Sequence, residues 1–455
     1  MLPSPLSRIP TPALLRSYVL TTLMTHKPIM SPALSAIGLI ARSKSRLLNP
    51  DRNPLLNQIL RRTVFDHFCP GTTEAQVRKT IARLKGMGFH GVILGFSKEI
   101  VLDPDEAARE ERSVVVGYGA AEVGVVERWR DENLRTLSMV APGDFIAVKL
   151  TGAGPMATEA LQSQSPIPRP LSQALDRICA QAVRQNSRLW IDAEQQAFQP
   201  GIDAWTVDLM RRHNRDPRRG PLVYNTIQAY LKGARANADR HVEMAAREGW
   251  ALGVKLVRGA YIAHEVRGLI HDTKEETDRS YDDIARRFIS RTLPPGCGEG
   301  IGFPRMALML ASHNADSARG AIALQAERME AGLPTIALEC AQILGMADEL
   351  SCELLQDYDR LFAAAAAAET KVSGDGNGGE VEKGGQGGSL PKIYKCFHWG
   401  SVAECMHYLH RRAVENRGSA ERTRHMAEAL GRELRRRALA WTWPDGGSSG
   451  RRVAR

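Results

Sequence analysis

Residues 253–261 read Gly253-Val254-Lys255-Leu256-Val257-Arg258-Gly259-Ala260-Tyr261. An aliphatic and β-branched run broken by a single lysine is what a strand buried on both faces looks like, since a half-exposed strand alternates toward water. The same kind of run recurs at 91–94, 145–150, 188–192, 222–226, 307–311, 335–339 and 392–395, with segments of helical spacing in between. Eight buried strands, each followed by a helical segment, predict an α/β fold of the (β/α)8 TIM-like barrel type, preceded by an N-terminal helical arm.

The flanks set the domain boundaries. At 75–87 the spacing predicts a helix with Val77, Ile81 and Leu84 on one stripe and Gly88 at its C-terminal cap. The first 50 residues hold Arg8, Arg16, Lys27, Arg42, Lys44 and Arg46 and no acid, which is the composition of a mitochondrial transit peptide. The chain therefore divides into a targeting segment at 1–50, an arm at 51–85, the barrel at 86–420, and a basic helix and tail at 421–455. Six alanines at 363–368 precede eight glycines within 373–389, which reads as a flexible insertion between a helix and the last strand. The longest uncharged run, 28–41, has 14 residues and two prolines. A spanning helix needs about 20 apolar residues, so no membrane span is predicted.

The 455 residues are 43% hydrophobic and 25% charged, a globular composition with a formal charge of +10. That charge suits an anionic ligand, a nucleic acid or an anionic membrane. Aromatic residues make up only 6% and are not interleaved with the basic ones, which argues against a nucleic-acid or lipid-binding module. Seven scattered cysteines have neither C-x-x-C nor zinc spacing, so a reducing compartment, no disulfide framework and no metal site are expected. Three other features carry little. Gly117-Tyr-Gly119-Ala-Ala-Glu122 lacks the third glycine of a dinucleotide fingerprint, and no carboxylate completes His407 and His410 as metal ligands. The run 432–437, rich in arginine, reads as a basic amphipathic surface helix.

Active sites in such barrels form at the C-terminal strand ends. Lys149, Asp192 and Lys255 fall there, with His313 and Asn314 just past the sixth run. Lysine and aspartate are costly to bury unpaired, and their convergence on one edge points to function. Farther on, Tyr408, Arg411, Arg412 and Glu415 share one helical stripe, while Val402, Met406, Leu409 and Ala413 form a separate apolar one. Two adjacent guanidinium forks match a carboxylate or phosphate, and Glu415 could hold their orientation.

Six colinear stretches carry a family resemblance: Asp192-Ala-Glu194, Tyr224-Asn-Thr-Ile-Gln228-Ala-Tyr230-Leu-Lys232, Lys255-Leu-Val-Arg258-Gly-Ala-Tyr261, Ser312-His313-Asn314, Leu344-Gly-Met346 and Tyr408-x-x-Arg411-Arg412-x-x-Glu415-Asn416. Over roughly 85–420 the sequence resembles the proline dehydrogenase (proline oxidase) family, most of all its fungal mitochondrial members. The resemblance implies FAD at the strand C-termini, oxidation of L-proline to Δ1-pyrroline-5-carboxylate, and ubiquinone as electron acceptor. It further implies a mitochondrial enzyme peripherally associated with the inner membrane on the matrix side, an association that basic surface such as 435–437 would aid.

Residue by residue, the resemblance implies that Arg411 and Arg412 bind the proline carboxylate, supported by Glu415, and that Tyr394, Tyr408, Tyr261 and Leu344 wall the pocket. Lys149, Asp192 and Tyr394 form the implied catalytic set. Gln228 and Lys255 would contact the isoalloxazine, and Arg258, Gly259, Ala260, Ser312, His313 and Asn314 the rest of FAD. Two departures stand out: Lys255 replaces the arginine of some bacterial members, and His398-Trp399 replaces a Pro-aromatic step after the last strand. Alternatives within the fold are a hydroxyproline dehydrogenase, where a small residue facing Tyr394 would admit the hydroxyl, or another flavin barrel such as a methylenetetrahydrofolate reductase.

Overall fold

The computed structural model describes residues 4–43, 45–97, 119–262, 265–372, 390–415 and 420–442. The Gly-rich stretch 373–389 and Gly117-Tyr118 lie outside the described residues, while the rest of that motif, Gly119 to Glu122, opens helix Ala120–Met139. Eight parallel strands close into a barrel in chain order: β1 (Gly91–Phe96), β2 (Phe145–Val148), β3 (Arg188–Ile191), β4 (Val223–Gln228), β5 (Leu252–Val257), β6 (Met306–Ala311), β7 (Ala337–Ile343) and β8 (Lys392–Trp399). Each expected run holds a strand, and the largest corrections are at the C-terminal ends of β7 and β8, each of which runs four residues beyond its expected end.

The predicted first helix forms at Glu74–Gly86, with Val77, Ile81 and Leu84 buried, Thr73 capping its start and Gly88 at φ +100° past its end. Outward-facing strand residues pack against such helices in one continuous apolar layer. The interior is a second, smaller core: Ile93, Phe145, Ala147, Trp190, Ala307 and Met309 fill it, so the barrel is plugged rather than hollow. At its N-terminal end Arg188 pairs with Glu339 at 2.7 Å, donates to the Tyr394 hydroxyl at 2.8 Å, and lies over the Phe145 ring.

The segment with transit-peptide composition is folded onto the body. Helix Thr11–Thr25 packs on helix Ala420–Thr442, and helix Lys27–Arg42 packs on helix Val402–Glu415. Leu6, Ile9 and Leu14 bury with Cys352, Ala429 and Leu430. The expected basic surface at 435–437 is only partly internal: Arg435 and Arg436 are exposed, while Arg437 is half-buried. Arg437 donates to the carbonyls of Leu6, Ser7 and Ile9, and both Arg436 and Arg437 bond Glu433. The Arg436 and Arg437 bonds, working against partial burial, hold the Glu433 carboxyl down at about 2. Among the described residues no helix is long and apolar enough to cross a membrane.

Candidate active site

A cavity of about 330 Å³ opens at the C-terminal ends of the strands. Its floor follows from the pleat: inward positions of successive strands place Lys149, Asp192, Gln228, Lys255 and His398 around one mouth. Two buried lysines share a single carboxylate there. Lys149 Nζ lies 2.7 Å from Asp192 Oδ2, while Lys255 Nζ bonds Asp192 Oδ1 and sits 4.1 Å from the centroid of the Trp190 ring.

The electrostatics of this triad are asymmetric. Burial opposes the charge of Asp192, yet Lys149 and Lys255 hold its carboxyl far below the usual range. Burial likewise opposes the Lys149 ammonium, but Asp192, Tyr261 and Glu194 keep it above its ordinary value. For Lys255 burial wins over the attraction of Asp192, and the ammonium is pushed below its ordinary value, with Lys149 adding like-charge repulsion. Glu194 is buried and shifted upward by that burial, and it accepts hydrogen bonds from the backbone and hydroxyl of Thr151.

Two polar groups lining the cavity wait for a ligand. Gln228 donates through Nε2 to the Glu194 carbonyl at 3.3 Å, but its Oε1 is buried with no hydrogen-bond partner among the described residues. Trp190 Nε1 is a buried donor in the same position. Leaving such groups unmatched costs about 1–3 kcal/mol each, so a bound molecule with both donors and acceptors would be drawn to them. At the cavity's edge Arg258 is held rigid: it donates to Asp278, Ser312 and Ser317 and lies 4.4 Å from the Tyr281 centroid. His313 accepts from the Ile343 backbone N–H through Nε2, which puts its ring proton on Nδ1.

Most of the residues expected from sequence converge here. Lys149, Asp192, Gln228, Lys255, Arg258, Gly259, Ala260, Tyr261, Ser312, His313 and Tyr408 all line the cavity. Three do not. Tyr394 lies at the opposite end of the barrel, bonded to Arg188 and Glu339, because β8 extends to Trp399 and so Tyr394 belongs to its first half. It neither walls the pocket nor faces a substrate hydroxyl. Leu344 follows β7 by one residue and points into the outer apolar layer, while its neighbour Ile343 faces the cavity. Asn314 spends its side chain capping helix Ala315–Glu330, accepting from Asp316 and Ser317. Arg411, Arg412 and Glu415 lie on helix Val402–Glu415, which also carries Tyr408, but their side chains lie outside the described residues.

Sequence reasoning missed His398, Trp190, Thr226 and Cys396 as wall residues. The His398 ring lies tilted against Tyr408, 4.4 Å between centroids. Its space is provided by Gly95 of β1, where a Cβ would fall 2.5 Å from the His398 ring. Period-two alternation from Tyr394 through Cys396 would have found His398, had the strand been read past residue 395.

A plugged eight-stranded parallel barrel with a charged, ligand-ready cavity at its C-terminal strand ends is the layout of a barrel enzyme of the cofactor-binding kind. The chain belongs to the proline dehydrogenase family, whose profile matches residues 77–425. It is 29% identical over 429 residues to a probable mitochondrial proline dehydrogenase of Schizosaccharomyces pombe, covering 84% of this chain and 81% of that one. It is also 29% identical over 452 residues to hydroxyproline dehydrogenase of Bos taurus, covering 90% and 87%. Among solved structures it superposes on proline utilization A of Bdellovibrio bacteriovorus inactivated by N-propargylglycine, with a TM-score of 0.59 and 16% identity. That match covers 90% of this chain but only 40% of the larger one, and at such identity it speaks for the fold alone.

Proposed function

We propose that this protein is an FAD-dependent proline dehydrogenase that oxidises L-proline to Δ1-pyrroline-5-carboxylate and passes the electrons to ubiquinone. The observation that carries the flavin assignment is the unmatched pair, Gln228 Oε1 and Trp190 Nε1, beside Lys255 Nζ in one cavity. A planar heterocycle with both donors and acceptors satisfies all three. Gln228 and Lys255 would hold the ring, and Arg258, Gly259, Ala260, Ser312 and His313 the remainder of the cofactor. When bound, the flavin supplies the hydride acceptor.

The chain's own residues supply orientation and proton control. Arg411 and Arg412 clamp the substrate carboxylate, Glu415 steadies them, and Tyr408 and Tyr261 close the sides, so that a small rigid ring is fixed relative to the cofactor. The substrate amine must be neutral before a hydride leaves. Asp192 is a poor acceptor for that proton, since its carboxyl is held far to the acid side by two ammonium groups. Lys255 Nζ, whose charge burial disfavours, is the group that can shed a proton and take the one from the amine.

Relatives named mitochondrial and the acid-free first 50 residues support a mitochondrial location, and a lipid-soluble quinone acceptor would place the enzyme at the inner membrane on the matrix side. Because those residues also pack into the fold, the segment has a structural role besides any address it carries. Equal similarity to a hydroxyproline dehydrogenase keeps 4-hydroxyproline as the second substrate to compare. The test is formation of the cyclic imine, followed by mass spectrometry, when flavin-loaded protein and a dye acceptor are given L-proline or 4-hydroxyproline. A kcat/KM higher for proline supports the assignment. A preference for hydroxyproline changes the substrate, and no imine from either defeats the reading.

A further inference from the structure

We propose that a second, apolar cavity beside the active site holds the hydrocarbon tail of the quinone acceptor, and that the outer face of the first helix opens it to a lipid surface. The cavity, about 340 Å³, lies between the two N-terminal helices, the segment at 60–68 and helix Val402–Glu415. Leu20, Ile37, Val64 and Leu409 are among its walls, and it shares Ile343 and Tyr408 with the active-site cavity. Among the described residues no lining side chain is charged, and of them only Thr63 and Tyr408 carry an oxygen. Thr63 already donates to the Ile59 carbonyl at 2.8 Å. A polar guest or water would find too few partners there, so the space suits a hydrocarbon chain.

Leu23 both lines this cavity and is 41% exposed, so the cavity reaches the surface at that residue. Leu15 and Val19 continue the same helical stripe outward, at 52% and 46% exposure. An apolar stripe on a segment with six basic residues and no acidic ones complements an anionic bilayer surface. This inference rests on the function proposed above, and it completes that reaction. Oxidation of the substrate C–N bond to C=N releases two electrons and two protons. The quinone ring, entering by way of Tyr408, takes both pairs and leaves as a quinol, and the flavin returns to its oxidised form.

The test uses full-length, flavin-loaded protein, L-proline and three acceptors: a tailless benzoquinone, the same ring with a decyl chain, and a water-soluble dye. Ile37→Trp fills the cavity at a wall outside the active site. It is expected to raise KM for the decyl quinone at least tenfold and leave the other two acceptors within twofold. Calorimetric titration of the decyl quinone onto the protein should lose its heat in the variant. Val64→Phe is held to the same criteria if Ile37→Trp fails to fold. Equal changes for tailed and tailless quinones, or unaltered calorimetry, overturn the proposal. So does native mass spectrometry showing a bound phospholipid that the decyl quinone fails to displace. If L-proline reduces no acceptor even in the wild type, the proposed function fails instead, while the calorimetric result still decides the tail site.

Discussion

Replacing Asp192 by alanine tests the charge arrangement at the centre of the site. The carboxylate is the shared partner of two buried ammonium groups, at 2.7 Å from Lys149 and in direct contact with Lys255. Removing one partner of a buried pair leaves an uncompensated charge and costs roughly 3–5 kcal/mol. Asp192→Ala should therefore lose about that much stability in urea titrations at pH 7.

The sign of the pH dependence follows from the shifts. In the native protein Asp192 is held low, so its contribution is present above the ordinary aspartate value of about 3.9 and lost as pH falls through the depressed one. Lys149 is held high, so its contribution is complete below about 10.4 and lost only as pH rises through its elevated value. Lys255 alone is pushed down, which gives a small rise of stability toward alkaline pH. Without Asp192, Lys255 loses its main support against burial and Lys149 keeps only Tyr261 and Glu194, so the unfolded chain binds more protons than the folded one in the alkaline range. The variant's stability should then climb between pH 7 and 9.5 more steeply than wild type, by up to about 1.4 kcal/mol per pH unit for each proton. Adding Lys255→Met to Asp192→Ala should recover part of the loss at pH 7. If Asp192→Ala stays within about 0.5 kcal/mol of wild type with an unaltered pH slope, the lysines do not depend on Asp192 and the electrostatic argument is wrong.

Changing Arg411 or Arg412 to methionine should raise KM for proline about tenfold or more, since a lost charge-assisted bond costs roughly 1.5–3 kcal/mol, with flavin content near wild type. Gln228→Leu removes the buried, unmatched acceptor and should weaken flavin retention on dialysis about tenfold while the far-UV spectrum is unchanged. Gly95→Val pushes a Cβ to within 2.5 Å of the His398 ring, so kcat should fall at least about tenfold, whereas Gly220→Ala, where nothing lies within 4 Å, should leave kcat alone. In sequence the stretch 373–389 lies between helix Asp348–Val372 and β8, whose first residue is at the barrel end opposite the cavity. Its replacement by a short Gly-Ser link should keep kcat within about twofold and stability within roughly 1 kcal/mol.

The barrel was legible because strands buried on both faces show as uninterrupted apolar runs, as at 145–148 and 306–311. Half of the site was legible for the same reason: Lys149, Asp192 and Lys255 stand out where an apolar run meets a charge. The errors at the strand ends share one cause. β7 and β8 continue through Gln342, Lys395 and His398, polar residues whose burial depends on partners far away in sequence, such as Asp348 for Lys395. Reading polarity as the end of a strand hid His398 and left Tyr394, which the resemblance assigned to the pocket wall, close to the expected strand end. Asn314 illustrates a different limit: its side chain serves as a helix cap, and a local capping role is indistinguishable in sequence from a ligand contact. The packing of the first helices onto helix Ala420–Thr442 joins segments some 400 residues apart, which periodicity within either segment does not encode.

The most direct measurement is anaerobic. Purified protein is expected to carry the absorbance of an oxidised flavin, and mixing it with L-proline in a stopped-flow spectrometer should bleach that band in a single turnover. Bleaching should be slower with proline deuterated at the ring carbon that becomes part of the C=N bond, and should need far higher proline concentrations in Arg411→Met. A protein that reconstitutes with FAD yet keeps its oxidised spectrum in saturating L-proline would contradict the account.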